Sequence, residues 1–528
     1  METVFLHRFY QNNPEGDEWG GNKKQEIFQK YGGICWSHDK IKLNTTVSFY
    51  EKSSLSLPVY KECLADMKVF HRGVAIAPNM HWNEQHVFSG SVARKPFENY
   101  LEIYYTRIHF DHHHFSDNSL QAKAIALDEG GENWSAAQNP VLQTPAIKGI
   151  FKKDGKSVAF YECRDPYVFS LNAQRFMLLG GYVGPENLSQ KGLHKPVGRH
   201  QANTYGAIAF AKEIEGNWEA GEILYTSEKE GSNIECPNFL KTKNLGVLVF
   251  SFQEKDEGVE DLLGEKTQSV KYLIGEMILK KDALLFIPQK NNEKPLDLYE
   301  GNSAYATTLS HNPFDNRILA LSWVRETKKA SSHKKTSKGN GWQGYSLLHE
   351  IGFSKGGHLI QKPLWEMSSK KNTHTIRQNS PFSVKEEKTS KDISILFYNK
   401  EKKRESKQEN RIEITYRKAY KNIPEGKCYI TIKDDKIFFE NPSSIKKSFR
   451  KFSSPYYGKK TRKELRIIID KCSLEIYACG GLYHFVATIA PALNDIPKKL
   501  QGLEISISSN KKTLVQYTSQ TLLENFYD

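Results

Sequence analysis

Short runs of apolar and β-branched residues, each closed off by Gly, Asn, Asp or Pro, recur along most of this chain. LEIYYTRI, AKAIAL, PYVFSL, RFMLLGGYV, YGAIAFA, YLIGEMIL, AYATTL and RILALSWV are typical. Each suits a strand and is too short for a helix spanning several turns. Long amphipathic helical patterns are scarce, so the sequence predicts an all-β protein. The runs gather about four at a time, a few tens of residues apart, which is the spacing of propeller blades, although no sequence repeat is evident. After the polar bridge SSKKNTHTIRQNS come further strand patterns, among them DISILFYN, RIEITYR and ELRIIIDKCSLEIYACGG. Their alternation predicts strands with one buried face, as in a β-sandwich. The expected layout is a propeller over 1–367, a linker over 368–382 and a sandwich over 383–528.

Composition narrows the function. Of 528 residues 38% are hydrophobic and 12% aromatic, with 26 Tyr and 28 Phe, which supports a large core rich in strand formers. No window of about 18 apolar residues is present, so no membrane partner is expected. The first residues lack the basic-then-apolar layout of a secretory signal. The net charge is +14. The lysines are spread out, and their densest groups, TKKASSHKKTSKGN and KEKKRESKQENR, mix in Ser, Glu and Asn. They read as solvated loops, and no nucleic-acid partner is expected. The 7 cysteines are odd in number and contain no C-x-x-C pair. Free thiols, no structural zinc and a cytoplasmic setting follow as expectations. His112–His114 fall between two strand patterns and read as a hairpin tip, not a metal site.

Two stretches could carry chemistry. YECRDPYVF places Arg164 and Asp165 just before a strand pattern, and SNIECPNFL places Glu235 and Cys236 just before another. Strands that start at one rim of a propeller aim such residues into a shared funnel. Paired carboxylates there suit glycoside hydrolysis, in which one acid protonates the leaving oxygen while carboxylates face the developing oxocarbenium ion. Taken singly, an Arg-Asp pair at a strand start is more often a structural salt bridge or a turn cap.

The order FYQNNPEGDEWG, VFSGSV, ECRDP, ECP, LSWV, GWQGYSLLHEI and the tail ELRIIIDKCSLEIYACGG resembles glycoside hydrolase family 32, the β-fructofuranosidases. The resemblance implies a five-bladed propeller followed by a β-sandwich, cleavage of sucrose, sucrose 6-phosphate or fructan with retention, and no metal or organic cofactor. It implies that Glu235 is the acid/base, protonated near neutrality by burial and neighbouring carboxylates, and that Asp165 stabilises the transition state. Gln11, Trp19, Phe88, Ser89, Arg164, Cys236 and Trp323 match substrate-binding positions. The EGNSAYA stretch (Glu300–Ala306) departs from the family's Gly-x-Asp-Phe-Tyr-Ala pattern, which alters a polar contact.

The resemblance also predicts a gap. The family's nucleophile lies in a Trp-Met-Asn-Asp-Pro-Asn-Gly strand that precedes the Phe-Tyr-Gln segment. Phe9-Tyr10-Gln11 stand almost at the start of this sequence. QNNPEG mimics the missing motif, with Asn13 in place of the Asp, but its flanks fit the following segment. The expectation is therefore a first blade incomplete at its start and no nucleophile. Three explanations stay open: an incomplete sequence, a non-catalytic carbohydrate-binding propeller, or recruitment of another carboxylate. An exposed first-blade edge favours the first.

Overall fold

The computed structural model describes residues 33–36, 41–48, 68–70, 73–76, 86–94, 101–108, 119–127, 133–137, 139–143, 151–185, 203–242, 245–254, 267–280, 283–290, 292–300, 304–311, 318–325, 343–345, 349–354, 357–363, 374–386, 391–398, 409–418, 427–433, 436–440, 462–470, 473–488, 500–509 and 513–521. Every regular element among them is a β-strand. Gln11, Trp19 and the Phe9–Gly16 stretch lie outside the described residues, as do His112–His114.

Among the described residues, five largely antiparallel sheets follow one another along the chain. The first holds Gly33–Trp36, Ile41–Ser48, Lys68–Phe70 and Gly73–Ile76. In each of the other four the strand at one edge, called here its leading strand, is in turn His86–Arg94, Ala159–Leu171, Asn233–Lys241 and Ala304–His311. Two more sheets follow, and they share one core. Ile393, Ile395, Leu465, Ile467 and Tyr517 of the first of them meet Ile412, Ile414, Ile430, Ile505 and Ile507 of the second. In RIEITYR, Ile412 and Ile414 are buried while Arg411 is exposed, so the expected alternation places the core face.

The stretch expected as a linker contains a paired strand. His374–Asn379 form a strand that pairs along its length with Leu514–Thr521. Thr375, Arg377, Gln378 and Asn379 are exposed and Ile376 is half-buried, so this edge strand carries almost none of the apolar alternation that would reveal it. The C-terminal pair of sheets is seated against the fifth sheet. The Glu300 amide donates to the His484 carbonyl and the Gln361 amide to the Gly481 carbonyl. Gly481 has φ +94°, and a Cβ there would sit 1.9 Å from the Gln361 oxygen, so this approach requires glycine.

A repeat invisible in the sequence emerges from the register. In the second to fifth sheets the leading strand carries one extra residue at the same place: between Phe88 and Gly90, Arg164 and Tyr167, Glu235 and Asn238, and Tyr305 and Thr308. Phe88, Arg164, Glu235 and Tyr305 are therefore equivalent, each the last paired residue before a bulge. The next residue is left-handed in three of them, Asp165 at φ 63°, Cys236 at 50° and Ala306 at 48°. Each such conformation costs about 1–3 kcal/mol and persists only where its surroundings enforce it.

The enforcement comes from the neighbouring sheet. A bulge withdraws an amide from its own ladder, and a buried amide must find another acceptor. The Asp165 amide donates to Thr106 Oγ1 (3.0 Å) and the Ala306 amide to Ser251 Oγ (3.0 Å). Thr106 and Ser251 are the register partners of Phe88 and Glu235. Further on, the Val168 amide donates to Ser91 Oγ (2.8 Å) and the Leu309 amide to Asn238 Oδ1 (3.3 Å), again at equivalent positions. In the third and fifth sheets the bulge thus turns a residue out of its sheet and fastens that sheet to the one before.

Gly90 belongs to this device. A Cβ on it would lie 1.6 Å from the Tyr104 oxygen and 2.7 Å from Tyr105 Cα, all backbone of the paired strand. Gly90→Ala is expected to cost more than about 4 kcal/mol in urea unfolding, because a strand pair must part. Gly352→Ala, where a Cβ meets nothing within 4 Å, should change stability by less than about 1 kcal/mol. Equal losses at the two positions would refute the backbone-contact account.

Candidate active site

The bulges correct one expectation and explain it. Arg164 and Asp165 stand inside the strand Ala159–Leu171, and Glu235 and Cys236 inside Asn233–Lys241, not ahead of them. Pro166 and Pro237 signal turns in the sequence. Here they sit at bulges of edge strands, where a missing N–H breaks no ladder bond. The two motifs, 70 residues apart (235 − 165), come from the third and fourth sheets.

Arg164 is the hub that joins them. Its Nη2 donates to Glu235 Oε1 at 2.5 Å and its Nε to the same oxygen at 3.2 Å. Its Nη1 meets Glu162 Oε2 at 2.8 Å, and Asp165 Oδ2 lies 4.0 Å from its Nε. One buried guanidinium thus faces three carboxylates. Burial alone would lower its pKa, but Glu235, Glu162 and Asp165 outweigh that and hold it charged.

Asp165 is 5% exposed and accepts the Cys236 amide on Oδ2 at 2.8 Å. Its pKa is pushed up to about 6, by burial first, against the pull of Arg164, with the Glu235 charge adding to the rise. Burial, then the Asp165 and Glu235 charges, push the Cys236 thiol well up, so it stays a neutral SH group.

Glu235 is gripped on both oxygens. Besides the two Arg164 donors on Oε1, Oε2 accepts Gln253 Nε2 at 2.7 Å and the Tyr305 hydroxyl at 2.5 Å. Four donations fill the lone-pair directions of a carboxylate and favour its ionised form. Burial and neighbouring acids favour the protonated form, and these donors oppose them. Tyr305 is buried and its own ionisation is pushed far up, by burial and then by the Glu235 charge, so it remains a neutral phenol.

The remaining expected positions fall as follows. Phe88 is half-buried and Ser89 buried, at the equivalent bulge of the second sheet. Trp323 is the register partner of Tyr305 in the fifth sheet. Glu162, Gln253 and Tyr305 are site residues the sequence reading did not name. Tyr305 had a signal, since Tyr-Ala-Thr-Thr-Leu stands to its strand as Glu-Cys-Pro-Asn-Phe stands to its own. Gln253 had only the weak one of an amide ending the apolar run VLVFSF.

Comparison with known proteins settles the family. Residues 65–363 match the glycosyl hydrolases family 32 N-terminal domain, more than half of the chain. The chain belongs to glycoside hydrolase family 32. A sucrose-6-phosphate hydrolase of Lactococcus lactis subsp. lactis is 26% identical over 272 residues, 48% of this chain and 46% of the relative. A cell wall β-fructofuranosidase of Pisum sativum is 24% identical over 383 residues, 69% of this chain and 56% of the relative. The chain thus spans about half the length of the curated relatives it matches. A sucrose-6-phosphate hydrolase structure from Lactobacillus gasseri aligns with TM-score 0.64 at 16% identity, covering 99% of this chain and 93% of that one. A Bombyx mori β-fructofuranosidase aligns with TM-score 0.61 at 18% identity, covering 95% and 96%. At these identities the structural likeness speaks for the fold.

Proposed function

We propose that this family 32 chain is a β-fructofuranosidase-type glycosidase that cleaves sucrose or a related β-fructoside with retention at the anomeric carbon. The observation that carries the proposal is the convergence of Glu235 and Asp165 on Arg164 from separate sheets. In this reading the five N-terminal sheets are the blades of a five-bladed propeller, and the two C-terminal sheets form a β-sandwich. Glu235 gives its proton to the glycosidic oxygen as the C–O bond breaks, and later takes a proton from the attacking water. Asp165 holds fructosyl hydroxyls and faces the positive charge that develops on the ring. Arg164, Cys236, Phe88 and Ser89 surround the sugar, and Gln11, Trp19 and Trp323 match the family's substrate-binding positions in sequence. Retention also needs a nucleophilic carboxylate on the opposite face of the ring. None of the three carboxylates on Arg164 is assigned that part.

Relatives support the substrate class. A mutant of the Bombyx mori enzyme is known in complex with sucrose, and a mutant fructan 1-exohydrolase of Cichorium intybus with 1-kestose. The proposal is tested by following sucrose, sucrose 6-phosphate and 1-kestose by proton NMR with the purified chain. Release of fructose, with the β-anomer appearing before mutarotation, is expected. Binding of these sugars without release would overturn the hydrolase reading in favour of a carbohydrate-binding propeller.

A further inference from the structure

A general acid must carry a proton, yet the Glu235 carboxylate is met by donors on both oxygens. To take up a proton on Oε2, one donor there must become an acceptor. On Oε1 this is impossible, because both donors there belong to Arg164 and a guanidinium has no acceptor. Gln253 can do so only by turning its whole amide over, which exchanges both of its polar atoms. A hydroxyl needs only to rotate about its C–O bond, since its oxygen both donates and accepts. Tyr305 is thus the neighbour that can follow a change of protonation with the least movement.

Three further observations single out this residue. Tyr305 occupies the position in the fifth sheet that Glu235 and Arg164 occupy in the fourth and third. Its strand is fixed by the left-handed Ala306, whose amide is tied to Ser251 Oγ. Ser251 is the register partner of Glu235 itself, so one bulge sets the distance between phenol and carboxylate. The residue is 3% exposed, so water does not compete freely for its hydroxyl.

We infer that Tyr305 is a positioning residue whose hydroxyl lets Glu235 alternate between carboxylate and carboxyl, donating to the first and accepting from the second. The inference rests on the acid/base reading of Glu235. In the carboxylate state the phenol O–H points to Oε2. When Oε2 takes up a proton, that proton points to the phenol oxygen and the phenol hydrogen swings aside. When the proton passes to the glycosidic oxygen, the phenol hydrogen returns to Oε2. No proton is gained or lost by Tyr305 at any stage. Among the described residues, the groups around Glu235 include Arg164, Glu162 and Asp165 from the third sheet, Cys236 and Gln253 from the fourth, and Tyr305 from the fifth.

The test is Tyr305→Phe, which keeps the ring and removes only the hydroxyl. The Glu235 carboxyl is titrated directly by carbon-13 NMR of glutamate-labelled protein, with Glu235→Gln assigning the signal. Loss of a donor to the charged form should raise its midpoint by about one unit, roughly tenfold in proton affinity. The alkaline limb of kcat/KM for sucrose should move up by the same amount, and kcat should fall about tenfold or more. A nitrophenyl β-fructoside, whose leaving group needs no protonation, should lose less than about threefold. An unchanged midpoint together with equal losses on both substrates would overturn the inference.

Should Tyr305→Phe fail to fold, Gln253→Met decides. It should raise the midpoint and leave the dependence on leaving group as in the parent. A selective loss on sucrose in Gln253→Met would make Gln253 the switch and refute Tyr305. A parent that releases no fructose tells against the hydrolase reading and leaves the titration to judge this inference. An active parent with Tyr305→Phe unaltered in both readouts defeats the inference alone.

Discussion

Glu235→Gln is expected to lower kcat/KM for sucrose by about 10²–10⁴-fold, the usual contribution of a positioned proton donor, while fructoside affinity stays within a few-fold. The substitution is nearly isosteric. The new carbonyl oxygen can keep the two Arg164 donors now on Oε1. The new amide faces Gln253 and Tyr305, and the phenol can rotate to accept from it. Arg164 retains Glu162 and Asp165, so no buried cation is stranded and the fold should hold. Loss of turnover with retained binding, measured by initial rates and by calorimetry, is therefore the signature of lost proton transfer. A variant that cleaves sucrose at the parent rate would remove Glu235 from the acid/base role and the mechanism with it. A variant that loses binding and turnover together would mean that the carboxylate mainly holds Arg164 in place.

The contrast between these residues and the others shows what the sequence can reveal. Strand identity was legible wherever one face is buried, as in LEIYYTRI, where the predicted run and the strand Leu101–Ile108 coincide. It failed where the face signal is diluted. His374–Asn379 is an exposed edge, and Asn217–Glu230 carries GEILYTSEKE with charges on much of its length. Asp165 and Glu235 were legible as motifs, and the structure brings them to one guanidinium. The bulges were not, because a left-handed Asp165, Cys236 or Ala306 is imposed by cross-sheet acceptors such as Thr106 and Ser251. Those acceptors are small hydroxyl residues inside ordinary strand patterns, with no local signature. Tyr305 and Gln253 were missed for the same reason. Their importance depends on register between strands, which a one-dimensional pattern does not encode. The four donations that Glu235 accepts all come from other strands, so no local sequence pattern around it shows them.

Asp165→Asn should separate stability from turnover. The Asp165 carboxyl has its pKa raised from 3.8 to about 6 in the folded protein. A carboxyl whose folded value is raised binds more protons folded than unfolded between these two pH values. Its contribution to stability is thus fully present below about pH 4 and is lost as pH rises through about 6. Above that, the buried ionised group disfavours the fold by about 3 kcal/mol, from roughly two units at 1.36 kcal/mol each. Asparagine is neutral throughout, and its carbonyl can still accept the Cys236 amide that Oδ2 accepts now. Arg164 keeps Glu235 and Glu162 as partners. The variant should match the parent in urea unfolding at pH 4 and exceed it by up to about 3 kcal/mol at pH 7–8. Sucrose turnover should meanwhile fall by about 10²-fold or more, the scale for losing one preorganised electrostatic contact with the transition state. Such a trade is what a site kept under strain for function produces. A stability gap independent of pH would show that Asp165 ionises in the fold as easily as in the unfolded chain. In that case Arg164 would already compensate the burial in full, and the carboxylate at the centre of this site would cost the protein nothing to keep.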